Sequence, residues 1–195
     1  MADVWQLVND VFLSKSSQAV NELCSKIKRG LIDEYHLDET DLNNKLAKRL
    51  KERGDSNGTY YEFFYERLDL AEKHYKGTEA IKDEESYMLT RNIYLMMFEL
   101  LNKLDKKITP VSRKMNKLEI EKASLGNFEK EIVIIATGCC DYCLQFNDVH
   151  ISVEDALEKF PLDYDKCTRE RGCFCQCCHV NKRNSEGRLI RRRTI

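Results

Sequence analysis

Apolar residues recur at three- and four-residue steps through most of the first 126 positions, which is the period of a helix with one buried face. Four stripes of this kind precede residue 77. They are Val4, Trp5, Val8, Val11 and Phe12; Val20, Leu23, Cys24, Ile27, Leu31 and Tyr35; Leu42, Leu46 and Leu50; and Tyr61, Phe64, Leu68, Ala71 and Tyr75. With the helices that follow, the pattern predicts four to six helices packed as an orthogonal or up-down array.

Small and helix-breaking residues separate these stripes. Gly30 lies inside the second stripe, so that helix either ends there or continues to about His36. The loop at residues 54–58, which contains two glycines, ends the third stripe. Thr59 follows this loop directly and is the expected N-cap of the fourth helix.

The longest predicted helix covers residues 79–107. Acidic residues stand early in this segment and lysines stand late, an order that the helix dipole favours. Pro110 ends the pattern, because proline disfavours helical geometry in the residue before it. A shorter helix is predicted over residues 112–124.

The pattern changes after residue 126. Residues 132–136 form a continuous apolar run, which predicts a short buried strand, and Gly138 supplies the backbone freedom for the turn that follows. Residues 153–160 again show helical spacing, with Ser152 or Asp148 as the N-cap. This part of the chain therefore mixes strand and helix.

The predicted fold class is mainly α, with a small α+β module near the C-terminal end. We place a helical domain at residues 1–126, a cysteine-rich module at 127–181 and a basic tail at 182–195. At 195 residues the chain is long enough for one ordinary domain with a small appended one.

Cysteines are concentrated in the module: eight of the nine lie within residues 139–179. Cys140 and Cys143 are spaced as a knuckle that presents two thiolates from one turn, as tetrahedral zinc requires. The candidate zinc ligands are Cys140, Cys143, Cys167, Cys173 and Cys175. The fourth ligand is either Cys173 or Cys175, in a fold of the zinc-ribbon or treble-clef kind. The remaining members, Cys139, Cys177, Cys178 and His179, leave a second metal site open.

Disulfides are the alternative use of so many cysteines, and they would suit a secreted protein. The first residues lack the basic segment, apolar segment and small-residue cleavage site of a signal peptide. No apolar run approaches the 18 residues of a membrane span. We therefore predict a cytoplasmic location, no membrane contact and a zinc cofactor.

The order of these residues resembles a cysteine-rich module at the C-terminal end of phage head-morphogenesis proteins, the family of the phage Mu minor head protein. The matching positions are Cys140, Cys143, Pro161, Leu162, Cys167, Cys173 and Cys175. The family often has His-Pro ahead of its last Cys-x-Cys, whereas Asp163 and Tyr164 follow Leu162 here. The resemblance covers about 40 of the 195 residues. It implies a shared zinc-binding module in a phage-related protein.

No catalytic motif surrounds any of the four histidines, and an all-sulfur donor set is typical of a closed, structural zinc site. We therefore predict a non-enzymatic binding or assembly protein that acts on a protein partner or on copies of itself. One alternative is a metal-dependent or thiol enzyme.

The other alternative is nucleic-acid binding through the zinc module and the basic C-terminal tail. The whole chain carries a net charge of −1, but residues 180–195 hold six basic residues against Glu186. Such a cluster can neutralise several phosphates. The candidate contacts are Arg188, Arg191, Arg192 and Arg193.

Overall fold

The computed structural model describes residues 18–54, 56–76, 83–136 and 140–192. The apolar stripe predicted over residues 2–13 lies outside these ranges, as do Cys139 and Arg193. The chain divides into two compact units, residues 1–77 and residues 78–195.

The first unit contains three described helices: α1 (Gln18–Asp33), α2 (Glu39–Arg53) and α3 (Asn57–Tyr75). Helix α1 continues through Gly30, which settles the alternative left open by the sequence. The N-cap of α3 is Ser56, whose side chain accepts a hydrogen bond from the amide of Thr59. Thr59 was predicted as the cap. It is the third residue of the helix and is buried.

Helices α1 and α2 both pack against α3. The aromatic residues at the start of α3 provide much of this core, and two of them, Tyr61 and Phe64, belong to the predicted stripe. The buried ones are Tyr60, Tyr61, Phe63 and Phe64. At the surface, Arg49 of α2 donates a hydrogen bond to Glu66 of α3 at 3.0 Å. The first unit therefore has an apolar core of its own.

The second unit begins with two long helices, α4 (Glu84–Lys103) and α5 (Thr109–Ala123). Asp83 and Ser86 form a reciprocal capping box at the start of α4. Helix α5 begins three residues before the predicted start, with Pro110 in its first turn. The first turn tolerates proline because its amides have no partner within the helix. Pro110 therefore starts α5, whereas α4 has already ended at Lys103.

A three-stranded antiparallel sheet follows, made of β1 (Lys130–Ile135), β2 (His150–Ser152) and β3 (Gln176–Asn181). The strand order is β2-β1-β3, with Ile132 opposite both Ile151 and His179. Two short helices, α6 (Asp141–Leu144) and α7 (Val153–Glu158), and a 3₁₀ turn (Tyr164–Lys166) connect the strands. Ser152 caps α7, as predicted. The mainly helical class with a small α+β part near the C-terminal end is confirmed.

The cysteine-rich module shares its core with α5. Side chains of α5 that face the sheet are fully buried, and Ile120 and Ala123 join Ile132 and Ile134 of β1 in one apolar cluster. The structure thus places α5 in the same compact unit as the sheet, whereas the predicted boundary at residue 126 separates them. The apolar stripe of α5 identified a helix, but not the sheet that covers it.

Residues 182–192, predicted as part of a basic tail, are ordered against the start of β1. The amide of Lys182 donates to the carbonyl of Glu129 at 2.9 Å, and the amide of Ile190 donates to the carbonyl of Lys182 at 3.1 Å. The chain thus turns back on itself and returns beside residues 127–129. We call residues 182–192 the C-terminal hairpin.

Candidate metal centre

The first pair of candidate ligands is carried by α6. Cys140 occupies the N-cap position and Cys143 lies inside this single-turn helix. Backbone amides of Thr168 and Cys143 point at the Cys140 sulfur, and these hydrogen bonds lower the pKa of Cys140 to about 6. Hydrogen bonds from backbone amides stabilise the thiolate, which is the form that binds metal.

The second group of candidate ligands lies on the segment between the 3₁₀ turn and β3. Cys167 follows the turn directly, and Cys173 and Cys175 precede the strand. The amide of Cys175 donates to the Cys173 sulfur at 3.4 Å. Burial raises the pKa of Cys167, although the backbone amide of Arg169 acts in the opposite direction.

All five predicted ligands come together in two groups of three sulfurs. One group is Cys140, Cys143 and Cys167; the other is Cys143, Cys173 and Cys175. Within each group the sulfurs lie within 4.8 Å of one another. Cys143 belongs to both groups, so the five sulfurs form one continuous cluster.

Two sulfur–sulfur distances identify the kind of site. The sulfurs of Cys140 and Cys167 are 3.8 Å apart, and those of Cys143 and Cys173 are 3.6 Å apart. A disulfide requires about 2.05 Å, and no cysteine in the described part of the chain forms a disulfide. Tetrahedral coordination with metal–sulfur bonds of about 2.3 Å separates neighbouring sulfurs by about 3.8 Å. The spacing therefore fits ligands around one metal ion.

The cluster is mostly withdrawn from solvent. Cys143, Cys173 and Cys175 are buried, whereas Cys140 and Cys167 are half-buried. Burial, with hydrogen bonds that the Cys143 thiol donates to the sulfurs of Cys140 and Cys173, raises the pKa of Cys143 far above its ordinary value. Without a cation, closely spaced buried thiolates repel one another and are poorly solvated. A bound metal ion removes both penalties, so this cluster is suited to a metal.

Helices α4 and α5 hold the second ligand segment in place. Arg171 donates to the backbone and side-chain oxygens of Asn102, at 2.6 and 2.7 Å, and its own carbonyl accepts from the amide of Ile108 at 2.9 Å. Gly172, at φ +100°, packs so closely that an added Cβ would lie 2.2 Å from the hydroxyl oxygen of Thr109. The segment is thus fixed to the turn between the two helices.

Asn116 of α5 is the functional residue that the sequence analysis missed. Its side-chain nitrogen donates to the carbonyl of Cys175 at 2.8 Å, and its oxygen accepts from the amide of Cys177 at 2.8 Å. The nitrogen also contacts the hydroxyl of Tyr164. The amide group therefore pairs with the edge of β3 as a neighbouring strand would. The sequence does contain an indication of this role. Asn116 lies between Ser112 and Ile120 at four-residue steps, so a polar residue occupies the buried face of α5.

Three of the spare residues of the motif, Cys177, Cys178 and His179, lie on β3 and belong to neither sulfur group. Burial raises the pKa of Cys177 to about 12 and also raises that of Cys178. His179 places its Nδ1 3.5 Å from a carboxylate oxygen of Glu119. His150 of β2 pairs with Glu131 of β1 at 2.8 Å. Both histidines are therefore engaged by carboxylates.

The predicted nucleic-acid contacts have different environments. Arg188 is exposed and pairs with Glu186 at 3.3 Å, and Arg191 is exposed. Arg192 instead turns inward and donates to the carbonyls of Ala123, at 2.9 Å, and Ser124. These carbonyls lie at the C-terminal end of α5, where they lack partners within the helix. Arg192 therefore caps α5.

We expect Arg192→Ala to lower the free energy of unfolding of the second unit by about 1–2 kcal/mol, because two charge-assisted hydrogen bonds are lost. Urea denaturation followed by circular dichroism measures the change. Arg191→Ala is the matched control, since it removes the same charge from the neighbouring exposed position. Equal stability of the two variants would contradict the capping role.

No helix in the ranges that the structure describes is long and apolar enough to cross a membrane. Comparison of the chain with known proteins found no matching family model, no matching curated protein and no matching solved structure. The resemblance of the cysteine-rich module to phage head-morphogenesis proteins therefore stays a prediction.

Proposed function

We propose that Cys140, Cys143, Cys167 and Cys173 hold one zinc ion, and that the chain is a non-enzymatic binding or assembly protein. The observation that carries the proposal is the pair of sulfur–sulfur distances, 3.8 and 3.6 Å, which match two edges of a tetrahedron around zinc. Cys143 joins the two edges, because it also lies within 4.8 Å of Cys140 and Cys167.

Cys173 is favoured over Cys175 as the fourth ligand. Its sulfur is 3.6 Å from that of Cys143, and it accepts the amide hydrogen of Cys175. The Cys140 sulfur accepts amide hydrogen bonds in the same way. Such bonds orient ligand sulfurs and offset their negative charge.

The donor set favours zinc among the common metals. Thiolates are poor ligands for calcium and magnesium, which take oxygen. Iron–sulfur clusters place inorganic sulfide and several irons between their cysteines, and a separation of 3.6–3.8 Å leaves no room for them. A single ion with four thiolates remains, and zinc is the usual occupant of closed Cys₄ sites.

A structural role follows from the closed donor set. A catalytic zinc keeps one position for water and usually has a histidine or carboxylate among its ligands, whereas both groups here contain cysteine alone. Zinc would join α6 to the segment that Arg171 fixes on Asn102 and Asn116 fixes on α5. It would thereby stabilise a rigid surface for a protein partner or a second copy of the chain.

Metal content and cobalt substitution test this proposal. We expect freshly purified protein to contain about one zinc per chain, and the cobalt form to show the ligand-field bands of a tetrahedral four-sulfur site. Cyanide should leave those bands unchanged, because no coordination position is open. Cys143→Ser should lose the metal, whereas Cys178→Ser, which removes a thiol outside both groups, should retain it. Absence of metal, or a cobalt spectrum that responds to cyanide, would refute a closed structural site.

A further inference from the structure

A single tetrahedral zinc uses four sulfurs, yet five converge at this site. The fifth, Cys175, is buried, and its sulfur lies within 4.8 Å of those of Cys143 and Cys173. The side chain of Asn116 donates a hydrogen bond to the carbonyl of Cys175, and this bond holds the backbone of Cys175 in place. A single tetrahedral zinc on the other four sulfurs would leave this neighbouring sulfur outside its coordination set.

The two sulfur groups have the composition of a pair of three-coordinate sites. Each contains three sulfurs within 4.8 Å, and Cys143 is common to both. With metal–sulfur bonds of about 2.3 Å, a trigonal site separates its sulfurs by about 4.0 Å. The sulfur–sulfur distances in both groups, which are all 4.8 Å or less, reach that spacing through small side-chain movements. A thiolate shared between two metal ions accounts for the overlap at Cys143.

We propose that the five-sulfur cluster also binds two Cu(I) ions, one in each three-sulfur group, with the Cys143 thiolate as the bridge. The inference rests on the proposed use of the cluster as a metal centre. Cu(I) is a soft cation that thiolate ligands select. Two ions in three-sulfur sites use all five cysteines, which a single zinc does not.

The exchange balances without any change of oxidation state. Two Cu(I) enter, one Zn(II) leaves, and the Cys175 thiol loses its proton. Four zinc–sulfur bonds break and six copper–sulfur bonds form, two of them to Cys143. The charge of the site changes from −2, for zinc with four thiolates and one neutral thiol, to −3. Half-buried Cys140 and Cys167 are the members through which an incoming ion first reaches the cluster.

The test is a titration of zinc-loaded, full-length protein with Cu(I), supplied as its acetonitrile complex without oxygen. Copper that stays with the protein through gel filtration is counted by elemental analysis, and released zinc is measured with a chromogenic chelator. We expect two copper ions bound and one zinc released per chain. Retention of only one copper at saturation would overturn the proposal.

Cysteine variants separate this proposal from the proposed zinc function. Cys175→Ser is expected to keep one zinc but to hold one copper ion instead of two. Cys175→Ala should give the same result, and it replaces the serine variant in the test if serine disturbs the fold. Cys178→Ser is the matched control and should still bind two. A Cys175 variant that retains one zinc and still binds two copper ions overturns the bridged arrangement. Wild-type protein without zinc that still takes two copper ions would refute the zinc proposal alone.

Discussion

Removal of the proposed zinc ion is expected to unfold the sheet and the candidate ligand segment of the second unit. Structural zinc sites contribute about 10–16 kcal/mol of binding free energy, whereas whole domains are stable by about 5–15 kcal/mol. The core formed by Ile132, Ile134 and the sheet-facing side of α5 includes Cys143, Cys173 and Cys175, so it closes around the ligands themselves. Without the ion, this core must bury mutually repelling or protonated sulfurs.

Hydrogen exchange measured by mass spectrometry, before and after treatment with a zinc chelator, follows this change. We expect peptides that cover β1 and β3 to lose most of their protection, and zinc added back to restore it. Peptides from α1, which belongs to the first unit, serve as the internal reference. Unchanged protection of β1 and β3 in protein shown to be metal-free would contradict the prediction.

Acid should weaken the site in the same assay. Burial raises the pKa of Cys143 and of Cys167, so metal binding must displace protons from both thiols. Protons compete more strongly as the pH falls. The chelator should therefore remove zinc at lower concentration at pH 6 than at pH 8.

The helices could be predicted from the sequence because their signals are local. A stripe such as Leu42, Leu46 and Leu50 needs only a helical period and a partner surface, and the structure confirms α2 there. The candidate ligands could be selected from the sequence for a similar reason, since zinc sites use a few residue types at short spacings. The five candidate cysteines converge as the motif indicated.

Strands β2 and β3 could not be predicted in this way. β2 has three residues, and β3 has the sequence Gln-Cys-Cys-His-Val-Asn, without an apolar alternation. Both form because β1 pairs with them over long sequence separations, which no local pattern records. The C-terminal hairpin escaped prediction for a related reason: its order depends on the backbone of Glu129 and on the end of α5.

The assignment of α5 to the same unit as the sheet rests on a shared apolar cluster and on polar contacts of Asn116 that sequence patterns do not display. Asn116 looks like a neutral residue within α5, yet its side chain joins that helix to β3. A helix whose buried face pairs with a strand edge cannot be assigned to a separate domain from that strand. The second unit therefore includes residues on both sides of position 126.

Replacement of Asn116 by leucine is expected to lower the free energy of unfolding of the second unit by about 3–5 kcal/mol. Leucine has the same number and branching of side-chain heavy atoms, but it leaves the carbonyl of Cys175 and the amide of Cys177 without their partner at a position where Asn116 is only 3% exposed. Each buried polar group left unsatisfied costs about 1–3 kcal/mol. Urea denaturation of the zinc-loaded protein gives the magnitude.

Two further variants decide whether hydrogen bonding is the cause. Asn116→Asp keeps an acceptor for the Cys177 amide but loses the donor to Cys175 and buries a carboxylate near the sulfurs, so it should be at least as unstable as the leucine variant. Asn127→Leu makes the same amide-to-leucine change at an exposed position and should alter stability by less than about 0.5 kcal/mol. If Asn116→Leu were as stable as Asn127→Leu, the strand-like pairing of Asn116 with β3 would contribute nothing to the fold. We expect instead that the Asn116 variants bind zinc more weakly as well, because Cys173 and Cys175 lose the anchor that positions them beside Cys143.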